Sequence, residues 1–296
     1  MSNLFGLVLN GLSLGAIYAL IALGFVMIFK ATHVLNFAHG SVLLLGAFVV
    51  GTTHDRFGFW LALLFGIAAA ALAAVLIDVV IMRRVRAADL GTLAILTLGV
   101  DVLMLTELTR QMGTSILTTG APWGTDTITV AGANIPVSRV VAALVTVVVV
   151  AVLWAVFKFT NYGIAMRAAA ADGGTADLMG IRLNRVAATA WGVAGALAAV
   201  AGIFLTSFPS PGISPTVGLV ALAAIPAWVL GGFDSFPGAV VGGLIIGVVT
   251  TLSAGYQGDL TFLGRDLAQV TPYAVMLLVL LIRPSGLFGT KEVARV

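Results

Sequence analysis

Long apolar runs separated by short polar breaks dominate this chain. A helix needs about 20 mostly apolar residues to cross a bilayer. By that measure candidate crossings lie at 5–29, 37–53, 59–83, 90–110, 137–157, 186–207, 216–233, 237–255 and 265–283. The second and seventh are short and contain Gly or Pro, so each reads as a full, a broken or a half helix. Eight full spans with one half-span fit the pattern equally well. The expected fold class is an all-α polytopic integral membrane protein of about 8–9 transmembrane helices, some short or broken.

Two connections carry their own pattern. Residues 113–136 are rich in Thr and Gly and lack Lys and Arg. Within them, Thr127–Val130 and Ile135–Val137 flank Ala131-Gly132-Ala133-Asn134, and β-branched alternation around a Gly/Asn turn predicts a small hairpin. Segment 158–185 is polar, with a helical stretch between Gly163 and Gly180. No long hydrophilic region interrupts the spans, so one membrane domain is expected over 1–296.

Composition sharpens the class. Apolar residues make up 60% of the chain and charged residues 9%, where a soluble domain carries roughly 25% charge. A soluble enzyme is excluded on that ground. The 35 glycines suit closely packed membrane helices. With no cysteine there is no disulfide, thiolate metal site or Cys nucleophile. A net charge of +3 gives no nucleic-acid surface.

The few charges also set an orientation. Lys and Arg concentrate on the cytoplasmic side of membrane proteins. With the N-terminus outside, the inside segments hold Lys30, Arg83, Arg84, Arg86, Lys158, Arg167, Arg182, Arg185, Arg283, Lys291 and Arg295. The outside segments hold only Arg56, Arg110, Arg139 and Arg265. The C-terminus is therefore expected in the cytoplasm. No basic residue precedes Lys30, and the run Leu4–Phe29 exceeds a signal-peptide core, so it reads as a retained first span.

Catalytic and nucleotide chemistry is missing. There is no phosphate-binding G-x-x-x-x-G-K-[ST] loop, no G-x-S-x-G and no H-E-x-x-H. His33, His39 and His54 lack metal-ligand spacing, so no metal is expected. His33 and His39 are expected at a membrane boundary, bonded to nearby backbone. Three carboxylates lie in or near apolar runs, where an exposed charge is costly. Asp101 would line a polar path or bond a neighbouring helix. Asp78 would pair with the Arg83-Arg84 cluster, and Glu107 with Arg110 or Gln111 at i,i+3 or i,i+4. Gly11-x-x-x-Gly15, Gly238-x-x-x-Gly242 and Gly243-x-x-x-Gly247 are close helix-packing motifs.

Several segments in one order resemble a known family. They are Asn10-Gly11-Leu12-Ser13-Leu14-Gly15-Ala16-Ile17-Tyr18-Ala19-Leu20-Ile21-Ala22-Leu23-Gly24 and Leu35-Asn36-Phe37-Ala38-His39-Gly40. Next come Arg167–Asp172 with Ala176–Ile181, then Val229–Ala239 with Gly242–Gly247, and finally Arg283–Gly289. Together they resemble the LivH-type permeases of branched-chain amino acid ABC transporters. The resemblance runs from end to end. It departs at Gly173-Gly174, where the family has better helix formers, which leaves the length of the coupling helix open.

That resemblance implies half of an importer's pore in the bacterial inner membrane, for branched-chain amino acids or related small polar solutes. It implies a second homologous permease, two cytoplasmic ATPases using ATP and Mg, and an external substrate-binding protein. This chain would carry no cofactor. Ala168–Met179 would dock on an ATPase as a short helix within segment 160–185, ended by Gly180. Arg167, Asp172, Asp177, Leu178 and Met179 would meet the ATPase. Asn10, Ser13, Tyr18, Asn36, His39 and Asp101 would line the path or fix a broken helix, and Asn36 also suits the N-cap of the second span. The external run 120–122 and the hairpin would touch the binding protein or lie over the bundle. Other readings are an ion-coupled secondary carrier with Asp101 as its proton or cation site, an ABC permease for urea or short amides, and an intramembrane enzyme using His39.

Overall fold

The computed structural model describes residues 2–85, 89–113, 116–124, 126–130, 133–207, 212–259 and 266–289. Arg86, Arg265, Lys291, Arg295 and the Ala131-Gly132 pair of the hairpin turn lie outside the described residues. What remains is a helical bundle with one two-stranded ribbon, built around its first helix.

That first helix, α1 (Ser2–Thr32), is longer than the 5–29 run and sits at the centre, with 83% of its most apolar window buried. It is apolar on every side, as a helix surrounded by other helices must be. Its closest neighbour is α11 (Phe236–Gly255), and glycine makes the approach possible. A Cβ on Gly11 would lie 2.6 Å from the Val248 Cα, and one on Gly15 would lie 2.7 Å from the Leu244 Cα. From the other side, a Cβ on Gly247 would meet the Gly15 N at 2.2 Å, and one on Gly243 the Ala19 N at 2.6 Å. The remaining glycines of α11 serve its opposite face. Gly238 and Gly242 press on the carbonyls of Gly231 and Ala227 in α10 (Ile225–Gly231).

Among the described residues, six helices are long and apolar enough to cross a membrane, and the other three candidate runs are shorter, broken or more polar helices. Besides α1 and α11 these are 59–84, comprising α3 (Phe59–Leu76) and a π-helical and 3-10 continuation, then α4 (Leu90–Met112), α5 (Val137–Phe159) and α8 (Leu183–Leu205). The run at 37–53 becomes α2 (His39–Phe57), whose last turn carries His54, Asp55 and Arg56 and is too polar to count. The run at 216–233 is broken into α9 (Thr216–Leu222) and α10, with Pro226 near the start of the second piece. The run at 265–283 becomes the shorter α12 (Leu267–Ile282).

The two ends of the bundle differ. One end is closed by the ribbon, where β1 (Thr127–Val130) pairs antiparallel with β2 (Ala133–Pro136), Thr129 opposite Asn134. The second strand begins two residues earlier than the Ile135–Val137 run predicts. Beside it, residues 116–124 fold over α2 and α8: Leu117 bridges to Ile213, and the Trp123 indole donates to Ser207 Oγ at 3.2 Å. The other end is basic. It holds Lys30, Arg83, Arg84 and two short helices, α6 (Asn161–Ala171) and α7 (Gly173–Leu178). There the turn at 283–289 folds back, with the Leu287 N–H on the Leu230 carbonyl and the Phe288 N–H on that of Gly231.

Candidate translocation path and coupling segment

Irregular backbone enters the bundle interior between α1 and α2. Residues 33–38 are not helical, yet Val34, Asn36 and Ala38 are buried. Backbone N–H groups removed from water there need partners. Each partner is specific. The Phe37 N–H donates to Thr97 Oγ1 at 3.1 Å, the Ala38 N–H to Asn36 Oδ1 at 3.1 Å, and the Ser41 N–H to Asp101 Oδ1 at 3.1 Å. Thr97 also donates to the Leu35 carbonyl at 2.9 Å. At 1.5 Å per residue, Thr97 and Asp101 stand about 10 and 16 Å along α4 from its first residue. The start of α2 is therefore sunk deep into the bundle.

Asn36 does not cap the helix as the sequence suggests. The N-cap is Ala38, which has no side chain able to do so, and Asn36 instead closes a tight turn two residues earlier. The missing cap is supplied from another helix by Asp101, whose carboxylate also faces the positive end of the α2 dipole. Asp101 makes a bond to a neighbouring helix, through the Ser41 N–H. Thr97 and Asp101 are four apart on one face of α4, a spacing that could have marked Thr97 as a partner.

A second break adjoins the first. Gly40, in the first turn of α2, lies against α9: a Cβ on Gly40 would fall 2.4 Å from the Gly218 carbonyl oxygen. Helix α9 then ends at Leu222, short of α10, and the Tyr273 hydroxyl of α12 donates to the Leu222 carbonyl at 3.5 Å. Two interrupted helices side by side form the kind of site that membrane carriers build near mid-bilayer. Asn36, His39 and Asp101 lie around the start of α2, with Asn36 Oδ1 on the Ala38 N–H and Asp101 Oδ1 on the Ser41 N–H.

His39 is not at the boundary expected for it. It is buried, with Nε2 unpaired among the described residues and its ring 4.7 Å from that of Phe25. The ring fills the place a side chain on Gly24 would take, 2.5 Å from the ideal Cβ. Among the described residues no cluster of His, Asp and Glu could hold a metal ion.

The other three predicted path residues lie elsewhere on α1. Asn10 bonds the Gly6 and Asn134 carbonyls at 3.0 and 3.3 Å and accepts from Arg139 at 2.9 Å, which fastens the ribbon to α1. Ser13 donates to the Leu9 carbonyl at 2.9 Å. Tyr18 is buried between helices, next to Thr250 of α11. The other two carboxylates expected in or near the apolar runs are paired. Buried Asp78 accepts from Arg83 at 3.1 Å, and Glu107 accepts from Arg110 at 2.6 Å and from Gln111 at 2.7 Å.

The basic end carries the predicted coupling segment, as two helices and not one. The break is at Asp172, whose carboxylate caps α7 by accepting from the Thr175 N–H at 3.2 Å and Thr175 Oγ1 at 2.6 Å. Glycines 173 and 174 follow that cap and are the first residues of the new helix. The six-residue α7 closes with two bonds, Gly180 N–H to the Asp177 carbonyl at 2.9 Å and Ile181 N–H to the Ala176 carbonyl at 3.0 Å. That pair is a Schellman turn, and Gly180 takes the positive φ of 84° it requires. Arg167 bonds the Phe157 carbonyl at the end of α5. Arg167 and Asp172 are thus engaged in local structure, while Leu178 and Met179 stand 89% and 79% exposed.

Two groups outside the spans have shifted acidity. Hydrogen bonds from Thr92 to Asp89, the N-cap of α4, hold its carboxyl below the usual range. Burial pushes the Tyr162 hydroxyl up, partly opposed by Thr189.

Residues 7–280 match the family described as branched-chain amino acid transport system / permease component. The high-affinity branched-chain amino acid permease protein LivH of Salmonella typhimurium is 34% identical over 97% of this chain and 96% of its own. The Escherichia coli K12 protein LivH is 33% identical over the same shares, and BraD of Pseudomonas aeruginosa 31%. Among solved structures, PsaBC from Streptococcus pneumoniae in complex with Fab shares the fold, with a TM-score of 0.53 over 93% of this chain and 91% of that one, at 13% identity. The chain belongs to the family of permease components of branched-chain amino acid transport systems, and is a multi-pass membrane transport subunit rather than an enzyme.

Proposed function

We propose that this chain is one permease of an ATP-driven importer for branched-chain amino acids. The observation that carries the reading is the pair Leu178–Met179, two large apolar side chains held bare at the tip of a capped, Schellman-closed helix on the basic end. An exposed apolar knob on a short rigid helix fits insertion into a groove of another protein. The chain has no phosphate loop of its own, so the partners are two ATPases that bind ATP and Mg. A second homologous permease and an external binding protein complete the assembly.

Residues 1–296 then act as a single permease domain in the bacterial inner membrane, N-terminus outside and C-terminus in the cytoplasm. Segment 160–185 is its coupling segment. Closure of the ATPases pushes on α7, and Asp177 and Gly180 keep that helix in shape. Force passes through α6 and Arg167 to the end of α5. The path runs past the two broken helices, where Asn36, His39 and Asp101 sit. Substrate selection lies with the external protein. An ion-coupled carrier is less well supported, because the Asp101 carboxylate is committed to the Ser41 N–H.

The test is reconstitution in liposomes with the cognate ATPases and binding protein. Leucine uptake is expected only with ATP and all partners. Uptake by this chain alone, without ATP, would overturn the reading.

A further inference from the structure

We propose that a groove between α1, α5 and α11 seats an anionic phospholipid of the surrounding bilayer, its acyl chain along the groove and its phosphate at the basic end. The groove holds about 1040 Å³ and is partly open to the surface. Along α1 it runs from Leu9 to Leu23, about 21 Å at 1.5 Å per residue. That is longer than one leaflet of a hydrocarbon core about 30 Å thick. Among the described residues Ser13 and Thr146 are the only hydroxyls in its walls, and both are turned to backbone carbonyls, at 2.9 and 2.8 Å. No polar solute gains a partner there, whereas a hydrocarbon chain needs none. Its outer wall, α5, is the least buried of the six spans, with 11% of its window covered.

The ends of the groove differ, and that difference selects the headgroup. At the ribbon end it stops at Leu9 and Ile135. At the basic end it stops at Trp154, Phe157 and Phe236, and each of these touches a cation. Lys158 Nζ lies 4.5 Å from the Trp154 ring centre, and Lys30 Nζ lies 5.7 Å from that of Phe236. Arg167 bonds the Phe157 carbonyl. The first turn of α11, Phe236 and Pro237, also lines this mouth, so a helix N-terminus adds positive potential to the three side chains. Lys30 itself donates to the Asp234 carbonyl at 2.9 Å and is met by the Asp234 carboxylate, which leaves Lys158 and Arg167 to a headgroup. Lys158 and Arg167 are exposed. An apolar slot a leaflet long with a cationic mouth between membrane helices matches a phosphate-headed lipid. A partner's helix in the same slot would have to bring its own acids to that mouth.

The test uses the full chain purified with its partners and stripped of lipid in a neutral detergent. Native mass spectrometry and thermal unfolding are read during titration with phosphatidylglycerol, phosphatidylcholine or free glycerol phosphate. Phosphatidylglycerol is expected to bind near one per chain and to raise the unfolding temperature, with glycerol phosphate inert. Lys158→Gln should weaken its retention about fivefold for the one charge lost, and Lys158→Arg should restore it. Ala143→Trp, which fills the groove, should abolish retention while leaving the unliganded unfolding temperature within a few degrees.

Equal retention of the two lipids, indifference to Lys158→Gln, or a photocrosslink from position 154 to the second permease would each overturn the proposal. So would stabilisation by glycerol phosphate alone. Lipid retention is read without transport, so failure here leaves the importer reading standing, and failure of ATP-driven uptake leaves the lipid seat standing.

Discussion

Asp101 Oδ1 on α4 accepts the Ser41 N–H in the first turn of α2, 3.1 Å away and 60 positions along the chain. The bond joins a carboxylate in an apolar span to a helix start that has no cap of its own. It explains why an acid is tolerated there: the charge meets a hydrogen-bond donor and a helix dipole inside the bundle. Asp101→Leu strands a buried N–H and should destabilise the protein by about 1–3 kcal/mol, seen as a lower thermal midpoint in detergent. Asp101→Asn keeps an acceptor oxygen and should lose less. In ATP-driven uptake the Asn variant should retain part of its rate. Complete loss of uptake with an unchanged midpoint would mean that the carboxylate carries a cation instead.

The seam between α1 and α11 leaves no room for a side chain. Gly15 and Gly247 lie against each other's backbones, with 2.2 Å from an ideal Gly247 Cβ to the Gly15 N. Backbone cannot move aside as a flexible side chain can. Gly247→Leu should therefore cost at least the 1–3 kcal/mol typical of an overpacked core, and Gly247→Ala a smaller part of it. Size-exclusion profiles and thermal midpoints of the two variants give the order. Gly99, around which an added Cβ meets nothing within 4 Å, is the control, and Gly99→Ala should leave the midpoint unchanged or raised.

The helix-packing glycines stand out in the chain because their spacing of four repeats on one helix face, and spacing is a local property. The paired acids Asp78 and Glu107 are equally local, with partners within five residues. The start of α2 is another matter. Its support comes from Thr97 and Asp101 across a gap of about 60 positions, and nothing near Asn36 predicts it. So Asn36 reads as a cap that it is not, and His39 as a boundary residue when it lies in the core beside Phe25. The coupling segment divides the same way. Gly180 as a terminator follows from its own conformational freedom. The break at Asp172 needs Thr175 to supply both an N–H and a hydroxyl, a cap that can be read only when the helix is not assumed to be continuous. Each predicted run is a helix or a broken helix, and those expected to be short or broken, α2 and the α9–α10 pair, are covered by neighbouring helices and need less apolar length.

Asp89 gives a pH dependence whose sign is fixed. Its folded acidity is raised by the Thr92 N–H and hydroxyl, so its folded pKa lies below the unfolded one. The capping contribution is therefore complete above the unfolded value, about 4, and disappears as the pH falls through the folded value. Wild type should exceed Asp89→Ala in thermal midpoint at neutral pH, and the gap should close on acidification below pH 4. A gap that stays constant to pH 3 would mean the side chain acts by something other than its charge.

The exposed tip of α7 separates folding from coupling. Leu178 and Met179 are bare, so Leu178→Ala and Met179→Ala should leave the thermal midpoint of the isolated permease within about 0.5 kcal/mol of wild type, as exposed changes usually do. If the tip sits in an ATPase groove, the double variant should lose most of the uptake and release the ATPases from substrate control. Gly180→Ala acts differently. It forces a side chain into a left-handed turn at about 1–2 kcal/mol, so it should fray α7 and reduce coupling while both apolar side chains remain. Uptake that survives the double alanine variant at more than half the wild-type rate would move the docking surface away from α7. Uptake lost in Gly180→Ala but kept in the double variant would assign coupling to the shape of the turn, with the tip side chains playing no part.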